Sequence, residues 1–300
     1  MEKQYKLTVA IITMNRAQQL KDAVESCVAS TLPEKTQFVI VDNGSTDETE
    51  AVALELQKTI PYPMIYHKEP VNLGAGGGRN VCYDLSSGEY LFFLDDDAQI
   101  SGNSRAVFFT KSLSYLDANP KVATLTTNII DKVFGDRPIG QSKHLRIDGL
   151  KCAYTFHEGS VFMRRSAFTP PMYMNIMYGG EGVSVSTRVR DNGFYNVYDP
   201  DIYIDHLPKV NKWKSADREF ITMQAASNLY VIKKLMYPVI FTPALWAVYH
   251  LRIHRYRLQD KSLIGKFRKM NRDFCKANKI KRVKIGCVLH TFKEFGMTTF

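Results

Sequence analysis

Three consecutive carboxylates, Asp95-Asp96-Asp97, stand directly after the apolar run 89–94 (EYLFFL). Like charges crowded at the end of a buried strand repel one another, so stability does not account for them. A hard divalent cation does, because it takes carboxylate oxygens as ligands. A second acid, Asp42, ends the apolar run 37–41 (QFVIV) and opens the segment DNGSTD. Asn43-Gly44-Ser45 suits a turn and Ser45 or Thr46 suits a helix cap. That leaves Asp42 and Asn43 over for a ligand group such as a base N–H. The segment NLGAGGGRN puts four glycines into positions 74–78, just before Arg79. Bare backbone ahead of a helix expected across 79–86 admits a phosphate, and Arg79 suits a diphosphate or a base. The segment is not a Walker loop, since no GK[ST] follows, nor a dinucleotide fingerprint, since it does not follow the first strand. Taken singly, each has a bland reading: a solvated acidic turn, a capped loop, a flexible glycine loop.

These segments need elements to aim them. Residues 6–14, 37–41, 64–67 and 89–94 read as strands, with helices over 16–30, about 47–58 and 79–86 between them. Strands alternating with short helices imply right-handed crossovers and a parallel sheet, hence an α/β fold. Binding sites in such sheets lie at the carboxyl ends of the strands, where Asp42 and Asp95 stand. Further on, 122–130 and 160–167 read as strands, 131–157 as loop, 181–192 as a helix stopped by Gly193, and 195–206 as a strand broken by Pro200. From 216 the chain reads as helical. Residues 235–251 carry no formal charge but are short for a membrane span and hold Pro238 and Pro243.

The composition is that of a globular chain: 300 residues, 45% hydrophobic and 23% charged. Its net charge of +10 is unevenly placed, with −5 over residues 1–208 and +15 over 209–300. Residues 252–284 alone hold 13 Lys and Arg against 2 Asp. That asymmetry calls for an anionic partner. Nucleic acid is disfavoured because no aromatic stacking platform is interleaved with the basic residues. A polybasic stretch beside an apolar one fits an anionic membrane surface, and the alternative is packing on the body or in a homo-oligomer. Five cysteines without a CxxC pair suggest neither a disulfide framework nor a thiolate zinc site. The N-terminal apolar run is too short for a signal peptide, so a cytoplasmic setting at the inner face of the cell membrane is expected.

The ordered set TMNR, VDNGSTDET, NLGAGGGRN and LDDDA resembles the inverting glycosyltransferases of family 2, strongly over 7–97 and more weakly to 206. The resemblance implies a GT-A nucleotide-binding sheet flanked by helices over residues 1–208, with a nucleotide half (1–97) and an acceptor half (98–208). Residues 209–300 would form a mainly helical basic extension. It further implies a donor site lined by Thr13, Asn15, Arg16, Asp42, Asn72, Gly78, Arg79, Asp95 and Asp96. Asp97, Asp95 and His206 would hold a divalent metal, Mn²⁺ or Mg²⁺. The donor would be a nucleotide-diphosphate sugar, a UDP-sugar first, and the acceptor a glycan or lipid-linked glycan in cell-surface assembly. The family's Gly-Glu-acid-x-acid segment, with an Arg seven residues after the Glu, reads here GGEGVSVSTR. Glu181 and Arg188 match, but Gly182 and Ser184 replace the acids. Glu181 is therefore the expected base. The departure also keeps open a catalytically impaired nucleotide-sugar-binding protein. A sugar nucleotidyltransferase is disfavoured because TMNRAQQL lacks the Gly-rich, basic loop that it would carry after the first strand.

Overall fold

A computed structural model of the chain describes residues 5–131, 135, 139–174, 179–208, 215–255, 261–277 and 280–300. Strands β1 (Tyr5–Thr13), β2 (Thr36–Asp42), β3 (Met64–Lys68) and β4 (Gly88–Asp95) lie parallel in the order β3-β2-β1-β4. Helices α1 (Ala17–Val28), α2 (Thr49–Thr59) and α3 (Gly74–Leu85) connect them. β1, β2 and β4 are mostly apolar because both faces of the sheet are covered there, whereas the edge strand β3 is half exposed. Successive residues divide between two cores. Val9, Phe38 and Phe92 meet Leu20 and Val24 of α1, whereas Ala10, Val39 and Phe93 meet Cys82 and Tyr83 of α3.

The second half extends the same sheet. It contributes β5 (Ala98–Ile100), α4 (Phe108–Ala118), β6 (Val122–Asp131), β7 (Gln141–Ile147), β8 (Leu150–Ala153), β9 (Ser160–Arg164), α5 (Glu181–Asp191) and β10 (Tyr195–His206). The order continues β4-β9-β6-β10-β8-β7, with β9 antiparallel to β4 and β6. Pro200 does not end β10. The strand runs through it with a register shift between Asp199 and Tyr203, so the missing N–H falls in a bulge.

Two expectations are corrected. Residues 131–157 are not simply loop: β7 and β8 form a hairpin closed by Asp148 and Gly149, both at positive φ (42° and 84°). Asp-Gly is a strong signal for such a turn. The glycine segment is not a bare loop ahead of a helix but the first turns of α3 itself. A Cβ on Gly78 would fall 2.7 Å from Ile12 Cγ2, and one on Gly76 2.9 Å from the Met174 carbonyl oxygen. The missing side chains let α3 lie close against β1 and the 173–174 segment.

Helices α6 (Ser215–Met236), α7 (Thr242–Arg255), α8 (Lys261–Ala277) and α9 (Ile285–Phe295) make up the C-terminal region. The expected boundary after 208 adjoins residues 209–214, which lie outside the described residues. The apolar run 235–251 is split between α6 and α7, and Pro238 stands in the break. Among the described residues no helix is long and apolar enough to cross a membrane. α9 returns to the sheet, where Ser142 Oγ donates to Glu294 Oε2 at 2.6 Å and Phe295 meets Tyr154 edge-on at 5.6 Å.

Candidate active site and metal centre

Strands β1, β2 and β4 stop level with one another. Thr13 pairs with Asp42 in register, and Ile12 pairs with Asp95. The chemistry-bearing residues therefore gather at the carboxyl edge of the sheet, as expected for an α/β fold. Thr13 Oγ1 donates to Asp96 Oδ2 at 2.8 Å. Arg16 Nη1 donates to Asp96 Oδ1 at 2.9 Å and to Asp97 Oδ2 at 2.5 Å. Burial, against Arg16 and Thr13, pushes the Asp96 carboxyl up to about 6. Burial also acts on Asp97, but His206 and Arg16 outweigh it and hold that carboxyl below its usual range.

The metal expectation meets a fitting geometry. Asp95, Asp97 and His206 each offer a ligand atom, and these atoms all lie within 4.8 Å of one another. Strand pairing brings them there. β5 turns back after Asp97 and runs antiparallel to β10, so that Ala98 pairs with His206 and the Leu207 N–H donates to the Asp97 carbonyl at 2.7 Å. On its other side β10 pairs with β6, placing Asp131 beside His206. His206 Nε2 lies 3.3 Å from Asp97 Oδ1, and Nδ1 lies 2.9 Å from Asp131 Oδ2. Asp131 is placed to accept a proton from Nδ1, which would leave the Nε2 lone pair for a cation bound in the cluster. The Asp95 side chain is 40% exposed, so the cluster opens to solvent on that side. Two carboxylates and an imidazole suit Mn²⁺ or Mg²⁺.

The flanking loops are stitched together. Asn15 sits at φ 55°, a conformation Asn tolerates. Its N–H donates to Ser45 Oγ at 2.9 Å, and its Oδ1 accepts from the Thr46 N–H at 2.8 Å. Asp42 is engaged locally rather than left over: Oδ1 accepts from the Ser45 N–H at 2.7 Å within its own turn and Oδ2 from the Tyr66 hydroxyl at 2.8 Å. Asn72 Oδ1 accepts at 2.7 Å from the N–H of Gly74, the first residue of α3. Gly78 faces Ile12 and Asn43 rather than an open cleft. Asn43 is buried, and its Oδ1 has no hydrogen-bond partner.

On the α5 side, Arg79 is buried within α3 rather than standing at its start. It donates through Nη2 to Asp95 Oδ1 at 2.9 Å and to the Glu158 carbonyl at 3.4 Å. Glu181 is 2% exposed, and its Oε1 accepts from the Gly179 N–H at 2.9 Å. Arg188 donates to the carbonyls of Pro171 and Met172, fixing the segment ahead of α5. Two acids of the site escaped the sequence reading. Asp131 ends an apolar strand, as Asp42 and Asp95 do, and that signal was available. Glu158 has no local pattern, and only the tertiary fold brings it to α5. Burial and the neighbouring Glu181 charge raise its carboxyl well above the usual range, against Arg79 and the Gly182 amide.

The model of "Glycosyl transferase family 2" matches residues 8–168, more than half of the chain. The chain belongs to this family. Among curated relatives, the family 2 chain is 24% identical over 198 residues to the GalNAc(5)-diNAcBac-PP-undecaprenol beta-1,3-glucosyltransferase of Campylobacter jejuni, covering 63% of this chain and 62% of that one. It thus spans less than two thirds of that relative's length. Among solved structures, the S. aureus TarS fragment in complex with UDP-GlcNAc superposes with a TM-score of 0.62 at 15% identity, over 98% of this chain and 89% of that one. A mannosyltransferase from Pyrobaculum calidifontis in complex with GDP-Man and Mn²⁺ gives 0.58 at 15% identity, over 92% and 76%. These likenesses give the family 2 chain a GT-A fold with a helical C-terminal region.

Proposed function

We propose that the chain transfers a sugar from a nucleotide-diphosphate donor to an acceptor hydroxyl, with inversion. The observation that carries this reading is the Asp95–Asp97–His206 cluster at the carboxyl edge of a family 2 sheet, with buried Arg79 on Asp95. Asp95, Asp97 and His206 would hold Mn²⁺ or Mg²⁺, which neutralises a bound diphosphate and makes it a better leaving group. Thr13, Asn15, Arg16, Asp42 and Asn72 order the loops over the strand ends, where the nucleotide sits in this reading. Gly78 and Arg79 bring α3 and its positive charge up to the same edge. A carboxylate takes the acceptor proton, and Glu181 at the start of α5 is the candidate that the sequence offers.

A UDP-sugar is the first donor to test, since the TarS neighbour binds UDP-GlcNAc, with GDP-mannose second. The Campylobacter relative acts on a lipid-diphosphate glycan, and a glycan or lipid-linked acceptor in cell-surface assembly is proposed here too. A site at the inner face of the cell membrane fits such an acceptor. Val239, Ile240, Trp246 and Leu251 are exposed at 65, 73, 57 and 65%, within the apolar stretch beside basic α8. Contact with an anionic membrane is the reading they support, with homo-oligomer formation as the alternative.

The test is a thermal-shift screen of nucleotide sugars with Mn²⁺ or Mg²⁺. A ligand at 100 times its Kd adds about 2.7 kcal/mol to stability. No shift with any nucleotide sugar would contradict the reading.

A further inference from the structure

Gly182 stands in the first turn of α5, next to Glu181. A Cβ on Gly182 would lie 2.5 Å from Glu158 Oε1, and the Gly182 N–H donates to that same oxygen. The Glu158 carboxylate, reaching from the segment between β8 and β9, fills the space that a side chain at 182 would need. We propose that Glu158, rather than Glu181, is the carboxylate that takes the proton from the attacking hydroxyl. This inference rests on the glycosyl-transfer reading above.

Three observations separate the two acids. Glu181 is 2% exposed, with one oxygen taken by the Gly179 amide, and its Cγ would lie 3.8 Å from a Cβ on Gly76. It is walled in against α3 and holds the turn into its own helix. Glu158 is half-buried, less enclosed as a residue than Glu181, and the Gly182 amide occupies its Oε1. Glu158 also adjoins the metal-side carboxylates: the carbonyl of the next residue, Gly159, accepts from the Asp95 N–H at 3.2 Å, and Arg79 bridges Asp95 to the Glu158 backbone. A carboxylate raised by burial and a neighbouring acid, yet held ionisable by a helix N-terminus and an arginine, suits general-base work. In the step, the hydroxyl proton passes to Glu158 Oε2 as the hydroxyl oxygen bonds to the anomeric carbon. The bond from that carbon to the diphosphate oxygen breaks, and its electron pair leaves with the nucleoside diphosphate.

The experiment uses the full chain with Mn²⁺ and two donor probes, UDP-GlcNAc and GDP-mannose, with water standing in for the acceptor. Nucleoside-diphosphate release and nucleoside-diphosphate affinity are measured separately. Glu158→Gln is expected to lower kcat by about 10²–10⁴-fold with nucleotide affinity unchanged, and Glu181→Gln to lower it less. Glu158→Gly should be as inactive, and adding Gly182→Asp, which moves the carboxylate onto α5, should recover at least about 10-fold. A positional role in the fold alone would not respond to that relocation. Wild-type release in Glu158→Gln, or no recovery in the relocated pair, overturns the assignment. If the wild type neither binds nor cleaves either donor, the transfer reading fails, and this inference with it.

Discussion

His206 Nδ1 lies 2.9 Å from Asp131 Oδ2, and the side chain of Asp131 is fully buried. A carboxylate there fixes the imidazole's tautomer and ring angle and increases its basicity as a ligand. Asp131→Asn keeps the shape but removes the charge. It should weaken Mn²⁺ binding by about 10–100-fold, read by metal titration of nucleotide binding. Unchanged metal affinity would mean that Asp131 only packs against the ring.

Gly78 has no room for a side chain. A Cβ would meet Ile12 Cγ2 at 2.7 Å and Asn43 Nδ2 at 3.1 Å. Gly78→Ala should therefore destabilise the fold by about 1–3 kcal/mol, as overpacking does, even though alanine favours helix. Denaturant unfolding measures it. A neutral or stabilised variant would show that α3 can lift off β1 without cost.

The Glu158 carboxyl is raised to about 7 from an ordinary 4.5 by burial and by Glu181, with Asp95 adding and Arg79 and the Gly182 amide opposing. Tyr173 lies in the same group, though it carries no charge near neutrality. The folded state therefore holds this proton more tightly than the unfolded state. The stability it contributes is complete below pH 4.5 and is lost as pH rises through about 7. Glu158→Gln removes that loss. Its melting midpoint should exceed the wild type's at pH 8 and the gap should close towards pH 5, while its activity falls. A gap that widens on acidification would contradict the assignment.

The exposed apolar residues around Pro238, joined to basic α8, should bind vesicles containing acidic phospholipid at low salt and release them at high salt. Screening over a Debye length of about 8 Å weakens such attraction. Co-sedimentation with anionic and neutral vesicles reads this directly. Equal, negligible binding to both would leave the oligomer as the partner of that surface.

The parallel half of the sheet was legible because its strands are apolar on both faces and their ends carry Asp42 and Asp95. The β7–β8 hairpin is hard to read from the sequence, although Asp148-Gly149 marks it, because its strands are half exposed and only weakly patterned. Helix α4 does not stand out in the sequence, although Phe108, Phe109, Leu113 and Leu116 form its buried face. The glycine segment misled because one composition serves a flexible loop and a tightly packed helix equally well. Glu158 lies beyond any local reading. Its partner Gly182 is 24 residues away, and their meeting depends on how α5 docks on the sheet.

The Asp95–Asp97–His206 cluster is proposed to serve metal-dependent cleavage of a nucleotide sugar. Release of nucleoside diphosphate from UDP-GlcNAc and GDP-mannose tests it, measured for wild type and Asp97→Asn with Mn²⁺ and after EDTA. The expected result is release by the wild type that EDTA stops and Mn²⁺ restores, with none from a folded Asp97→Asn protein. Release that survives both EDTA and the substitution would contradict it.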